Sequence, residues 1–352
     1  MAENAPEGKS ERRRVWADGC YDMVHFGHAN QMRQSKECGD VLVVGVHSDS
    51  EITKHKGPPV STEEERYEMV GEIKWVDEVV IDAPYVTSVE TLDKHLCEVA
   101  VHGDDITTTA NGVDTYEEVK SVNRYVEVKR TIGVSTTDLV NRMLSFVTTD
   151  NSSSSTTAPS PYTKKTAFVA TTSAIVDFGN GRQPKPTDKV VLVVGGFDLL
   201  HLGHVRFLKK AKELGDFLIV GLLSDDAIKM RKGANYPIMS LHERVLSVLA
   251  YKPTDDVLIG ITPEVTAEML DRFNITAVVD GFRDKVSSEA SQNPDPFEEA
   301  KKRGIFHLID SGSDMTTDRI IKRVLDHKNQ YESRNARKEK KEAEIANNLT
   351  SA

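Results

Sequence analysis

The sequence predicts an α/β protein built as two tandem, doubly wound parallel-sheet units joined by a linker. Three observations predict it. Short β-branched runs alternate with helical segments over residues 14–147. A Ser/Thr-rich stretch then breaks the pattern, and the same alternation restarts after it. The segment GCYDMVHFGHANQ, from Gly19 to Gln31, is written again as GGFDLLHLGHVRF from Gly195 to Phe207.

In the first unit, VLVVGVH (Val41 to His47), DEVVI (Asp77 to Ile81) and EVAVHG (Glu98 to Gly103) have the character of buried parallel strands. Between them, HANQMRQSKECG and TEEERYEMVGEIKWV read as helices, the latter opened by the capping-box spacing Ser61-x-x-Glu64. A last helix is expected at STTDLVNRML, where Ser135-x-x-Asp138 has N-cap spacing. From Thr148 to Pro159, eight of twelve residues are Ser or Thr, which reads as a spacer or a phosphorylation target. The pattern resumes with KVVLVVGGFDLLHLGH, DFLIVGLLSD and ERVLSVLAY. The expected divisions are a disordered N-terminus (1–13), a catalytic unit (14–147), a Ser/Thr/Pro-rich linker (148–187), a second unit (188–330) and a charged tail (331–352).

The restart is a duplication of a whole domain. His25 maps to His201 and Lys56-Gly57 to Lys232-Gly233 at an offset of 176. Glu65-Arg66 maps to Glu243-Arg244 at 178, and Asp138 to Asp318 at 180.

Composition narrows the class. The chain has 352 residues, 38% hydrophobic and 28% charged, as in soluble globular proteins of two or three domains. A net charge of −10 argues against a nucleic-acid partner or a general binder of anionic membranes. Cys20, Cys38 and Cys97 are too few and scattered for a disulfide framework, which suits a reducing compartment. The polar N-terminus has no apolar h-region and no run of 18 apolar residues occurs, so the expectation is a cytoplasmic protein without stable membrane insertion.

A strand, the turn Cys20-Tyr21-Asp22, then H-x-G-H opening a helix is a layout for handling phosphate. A helix N-terminus offers unsatisfied N–H donors and partial positive charge. His25 and His28 lie three apart, on one side of its first turn, and Gly27 removes a side chain where backbone must approach a ligand. Asp22 reads equally as a turn residue. Histidines at this spacing can also ligate zinc, but no third His or Cys lies close by in sequence. KHKG places Lys56 on a glycine-containing loop, and EEERY places Arg66 on the next helix, where solvated surface is the plain alternative. VHGDDI brings His102, Asp104 and Asp105 to a strand end, for base recognition or a metal. RTIGVSTTD sets Arg130 and Thr131 before Gly133 and the helix start at Ser135, Thr136 and Thr137, a second anion nest.

HFGH, KG and RTIGVSTTD resemble the cytidylyltransferase branch of the HxGH nucleotidyltransferases. The tandem copy and the linker TTSAIVDFGNGRQPKP are similar to those of the ethanolamine-phosphate cytidylyltransferases. The resemblance implies two Rossmann-like nucleotidyltransferase domains. It also implies CTP and phosphoethanolamine as substrates, CDP-ethanolamine and pyrophosphate as products, and Mg2+ as cofactor. His25 and His28 then donate to phosphates, Lys56 neutralises the α-phosphate, and Arg130 the departing β- and γ-phosphates. A homodimer stays open.

Alternatives are weighed on the same residues. KMRKG (Lys229 to Gly233) faintly resembles the lysine loop of class I aminoacyl-tRNA synthetases, but a second copy of the domain stands where an anticodon-binding domain is needed. Phosphocholine as substrate, or a CTP-binding sensor without turnover, are closer rivals. In the second unit Gly196, Phe197, Asp198, His201, Gly203, His204, Lys232 and Arg244 repeat the first half of the site. Its VVDGFRD offers Asp280, Gly281, Phe282 and Arg283, and DSGSDMTTD offers Ser311, Thr316 and Thr317. Aligned at 180, Arg130 meets Asp310 and Ser135 meets Met315. The expectation is turnover in the first unit, with the second holding a nucleotide weakly or completing the unit by packing.

Overall fold

The computed structural model describes residues 12–104, 107–145, 168–282, 295–337 and 340. The first lobe runs β1 (Arg14–Gly19), α1 (Phe26–Lys36), β2 (Val41–Val46), α2 (Asp49–Lys56), α3 (Glu63–Gly71), β3 (Glu78–Ile81), α4 (Val89–Lys94), β4 (Val99–Gly103), α5 (Glu117–Ser121), β5 (Tyr125–Val128) and α6 (Thr136–Leu144). After α7 (Thr172–Phe178), the second lobe runs β6 (Val190–Gly195), α8 (Leu202–Lys212), β7 (Phe217–Leu223), α9 (Asp225–Lys232), α10 (Leu241–Leu249), β8 (Asp256–Ile261), α11 (Ala267–Arg272), β9 (Ile275–Gly281), α12 (Glu298–Lys302), β10 (Phe306–Ile309) and α13 (Thr317–Asp326). Both sheets are parallel and five-stranded, ordered β3-β2-β1-β4-β5 and β8-β7-β6-β9-β10. The winding therefore reverses beside β1 and beside β6, which opens a crevice at the carboxyl ends of those strands. The apolar runs sit where they must: β2 and β7 are buried along their whole length.

Three local readings shift. The capping box of α3 is Thr62 with Glu65, one residue later than Ser61 with Glu64, because Asp22 already takes the N–H groups of Val60 and Ser61. The stretch read as linker contains α7, opened by the Thr171 side chain, with Phe178 buried against Trp75 of the first lobe; residues 146–167 lie outside those described. The boundary read at 330/331 falls inside a helix over 328–337, with Tyr331 and Asn335 buried.

The repeat register also changes at its end. Ser135 caps α6 and Thr316 caps α13. The Thr136 hydroxyl donates to the Asp22 carbonyl and the Thr317 hydroxyl to the Asp198 carbonyl, each at 2.9 Å. Equivalence here runs at 181, so Arg130 meets Ser311, Thr137 meets Asp318 and Arg142 meets Arg323. The string TTD occurs in both copies and draws a sequence alignment one residue out of step.

The lobes pack like two subunits about a two-fold axis. One apolar cluster runs through both, from Val15 and Phe26 to Leu199 and Ile320. At the seam, the Lys74 N–H donates to the Ala250 carbonyl and the Lys252 N–H to the Glu72 carbonyl, both at 2.9 Å. Arg142 of the first lobe binds Glu243 of the second through two bonds of 2.9 Å, and Arg323 of the second binds Glu65 of the first at 2.7 and 2.8 Å. Each pair is the other with the lobes exchanged. Arg142 and Glu243 are almost solvent-free, at 2% and 0% side-chain exposure. Removing one partner of such a pair strands a buried charge and costs about 3–5 kcal/mol. Arg142→Met should therefore lower unfolding stability by about that amount in urea titration, whereas Lys322→Ala, which loses only the exposed Asp326 pair, should cost under about 1 kcal/mol.

Candidate active site

The turn after β1 and the start of α1 build the first wall. His25 is the N-cap of α1, with extended backbone (φ −129°, ψ 170°). Its Nδ1 accepts the Gly27 N–H at 3.1 Å, and Nδ1 of His28 accepts the His25 N–H at 3.3 Å. A neutral imidazole that accepts through Nδ1 carries its proton on Nε2, so both rings are set to donate through Nε2. The rings stack with centroids 3.8 Å apart, and no acidic side chain in the first turn cancels the positive end of the helix. Gly27 serves packing: a Cβ there would lie 2.8 Å from Val134 and 3.0 Å from the His25 ring. Its absence lets the loop before α6 close on α1.

Several residues expected to touch ligand turn out to hold the motifs together. Asp22 Oδ1 accepts the N–H groups of Val60 and Ser61 at 2.9 Å each. Arg66 is fully buried, donating to the carbonyls of Cys20 and His47 and to Asp49, so it is a strut between loops and not solvated surface. The Thr131 hydroxyl accepts from Asn30, Ser135 caps α6, and Thr136 reaches the Asp22 carbonyl. The Thr136 hydroxyl donates within the protein, whereas those of Thr131 and Ser135 accept and keep their O–H to donate. Tyr21 adopts φ +49° and lays its ring over Gly19 and edge-on to His28, 5.6 Å between centroids.

The remaining expected residues ring the crevice. Lys56 ends α2, with Nζ 5.6 Å above the Tyr85 ring. Arg130 is exposed, and its N–H donates to Asp104 Oδ1 at 3.0 Å, which ties RTIGVST to the end of β4. His102 sits there too, 4.7 Å from the Tyr116 ring, while Asp105 lies outside the described residues. Gly133, at φ +93°, carries Phe168 against its open face. Among the described residues, no group of three His, Cys, Asp or Glu is arranged to hold a metal.

Asp18 escapes the motifs altogether. It is 3% exposed near the carboxyl end of β1, and accepts from Trp16 Nε1 at 2.8 Å and from the Thr87 and Tyr116 hydroxyls. No cation pairs with it among the described residues. Its charge pushes the buried Tyr21 and Tyr116 hydroxyls upward, second to burial itself. Beside it, burial pushes the His47 ring down, and Nδ1 of that ring donates to the Ala83 carbonyl at 3.1 Å. One signal was legible: an acid inside the strand RVWADG, where a buried strand carries apolar residues.

The cytidylyltransferase-like family model matches residues 16–142 and again 192–301. An ethanolamine-phosphate cytidylyltransferase of Mus musculus is 48% identical, covering 96% of this chain and 92% of its own length. Those of Dictyostelium discoideum and Arabidopsis thaliana are 47% and 41% identical, each covering 94% of this chain and 95% and 84% of their own. The chain belongs to the ethanolamine-phosphate cytidylyltransferase family. Choline-phosphate cytidylyltransferase 2 of Arabidopsis thaliana matches only 37% of it, about one lobe.

In this cytidylyltransferase the second lobe keeps the scaffold and changes the lining. Asp198 takes the N–H groups of Ile238 and Met239, and Arg244 braces Gly196, Leu223 and Asp225. His201 and His204 stack at 3.8 Å, with Gly203 between them pressed on the Met315 carbonyl. Phe197 packs 5.2 Å from His204. Yet Asp318 stands where the first lobe has Thr137, its carboxylate 3.9 Å from Lys232 Nζ and accepting from the Tyr236 hydroxyl at 2.5 Å. The lysine matching Lys56 thus faces an internal anion. Ser311 bonds within its own turn, Thr316 and Thr317 are engaged as caps and ties, and Asp280 accepts the Gly281 N–H. Phe282 is exposed, and Arg283 lies outside the described residues.

Nδ1 of both His201 and His204 is buried without a hydrogen-bond partner among the described residues. Burial pushes His204 down to about 3 and His201 well below the imidazole range. The unfolded chain protonates near 6.5, so between about pH 6.5 and 3 the unfolded state binds more protons. Stability is lost as pH falls through that window. His204→Gln lacks this titration, and its melting temperature should fall less steeply there than that of the parent; identical profiles would contradict a neutral buried ring.

Proposed function

We propose that this chain joins CTP to phosphoethanolamine, giving CDP-ethanolamine and pyrophosphate. The observation that carries the reading is the pairing of two opposite demands at the end of β1. The histidine pair and the α1 N-terminus require an anion, and Asp18, buried among neutral donors, requires a cation. Phosphoethanolamine carries both charges on one short molecule. Its ammonium would pair with Asp18, whose carboxylate Thr87 and Tyr116 fix, and its phosphate with the histidine pair.

The phosphate has a second pKa near 6, so its oxygen attacks the α-phosphorus without a dedicated base. The bond formed is oxygen to α-phosphorus, and the bond broken is from α-phosphorus to the bridging oxygen, which leaves with pyrophosphate. The protein's task is alignment and cancellation of charge. Nε2–H of His25 and His28 stabilises the phosphate oxygens, Lys56 the α-phosphate, and Arg130 with the α6 N–H groups the leaving phosphates. Mg2+ on a triphosphate needs only one or two protein carboxylates; Asp104 fits that part, and the ion lowers the charge the nucleotide brings. Asp318 facing Lys232 leaves turnover to the first lobe and makes the second its packing partner. Free Cys20, Cys38 and Cys97 suit a cytoplasmic setting, and no described helix is long and apolar enough to cross a membrane.

The test follows pyrophosphate release from CTP with phosphoethanolamine or phosphocholine. The parent should prefer phosphoethanolamine, whose N–H donors match Asp18. His28→Ala should lower kcat by about 10²–10³, the effect of losing a donor to developing charge. Asp18→Asn should lower kcat/KM for phosphoethanolamine by about 10- to 100-fold, the worth of a hydrogen bond to a charged group. Equal use of the two substrates, or a folded His28→Ala with parental turnover, would refute the assignment.

A further inference from the structure

The loop that follows Lys56 is held by residues from the far end of the chain. The Pro58 carbonyl accepts from Arg334 at 2.9 Å, the Pro59 carbonyl from the Tyr331 hydroxyl at 3.1 Å, and the Val60 carbonyl from Arg323 at 3.4 Å. Three consecutive carbonyls of the first lobe are thus bound by α13 and the helical segment 328–337. The N–H groups of Val60 and Ser61 are bound on the other side by Asp22. Arg334 joins the two sides, since the nitrogen that reaches Pro58 also lies 3.3 Å from Asp22 Oδ2. Both side chains are buried, at 13% and 7% exposure, and the guanidinium stacks 4.9 Å from the Tyr331 ring. The arginine stem packs over Gly57, at φ +94°, where an added Cβ would lie 3.6 Å from it.

The second lobe supplies a comparison within the same molecule. Asp198 holds the Ile238 and Met239 N–H groups as Asp22 holds its own, yet no cation is ion-paired with it among the described residues. Arg244 and Lys232 act on Asp198 from longer range, whereas Asp22 has Arg334 in a direct ion pair.

We propose that the segment 328–337 is an intramolecular clamp on the first lobe's active site, with Arg334 as the positioning residue that fixes the loop following Lys56. The proposal rests on Lys56 acting in nucleotidyl transfer and adds what sets its place. Without Arg334 the loop keeps its two N–H bonds to Asp22 but loses the tie at Pro58, and a misplacement near 1 Å costs up to about 10² in rate.

The test is steady-state kinetics with CTP and phosphoethanolamine on the full chain. Arg334→Gln should lower kcat about ten-fold or more while the KM for phosphoethanolamine, set at Asp18, stays unchanged. Arg334→Lys returns a cation to Asp22 but not the planar donor, and should recover part of the loss. Arg206→Gln, which breaks the Glu68 bridge elsewhere on the lobe seam, should leave kcat unchanged. A folded Arg334→Gln with parental kcat, no recovery in Arg334→Lys, or equal loss in Arg206→Gln would overturn the clamp. Should Arg334→Gln not fold, Tyr331→Phe removes one carbonyl contact alone, and parental kcat in that variant is the overturning result. An inactive parent chain would instead refute the function itself.

Discussion

Everything at the active site hangs on Asp22. Its carboxylate holds the Val60 and Ser61 N–H groups, its carbonyl accepts the Thr136 hydroxyl, and it sits three residues before His25. Three segments far apart in sequence are fixed to one residue: the histidine turn, the lysine loop and the start of α6. Burial raises the Asp22 carboxyl, and Arg334 with the two N–H groups opposes that rise. A buried acid costs free energy unless it is satisfied, and here it is satisfied by the loop after Lys56 and by Arg334.

The same scaffold recurs around Asp198, with Thr317 in the role of Thr136 and Arg244 in that of Arg66. This explains why one chain writes the awkward segment twice. The motif encodes a way of folding a turn, a loop and a helix start together, and that geometry also makes the lobe seam. The histidine pair persists in the second lobe as a buried stack, but Ser311 and Asp318 replace the cation and the neutral residue that a triphosphate needs. On the proposed reading the first lobe keeps both scaffold and chemistry, while the second shares the scaffold and one apolar core with it.

Much of this was legible in the sequence, because parallel α/β units write their strands as unbroken β-branched runs and their helix starts as caps. The duplication showed through matched landmarks, and the histidine turn through its spacing. What stayed hidden depends on chain segments meeting in space. Arg66 looks like surface on a charged helix, yet it is buried because three acceptors converge on it. Asp18 hides in a strand with no motif to mark it. Helix 328–337 looks like a charged tail because its buried residues, Tyr331 and Asn335, form too narrow a stripe to register as an amphipathic face. The register of the last motif was misread because an identical tripeptide outweighed the geometry of the caps.

The central claim is that a single nucleoside triphosphate site remains, in the first lobe. Equilibrium dialysis of CTP against the full chain tests it directly. One CTP per chain should bind at saturation, and it should be retained in His201→Ala and lost in folded Arg130→Ala. Two equivalents, or a site that survives Arg130→Ala and disappears in His201→Ala, would contradict it.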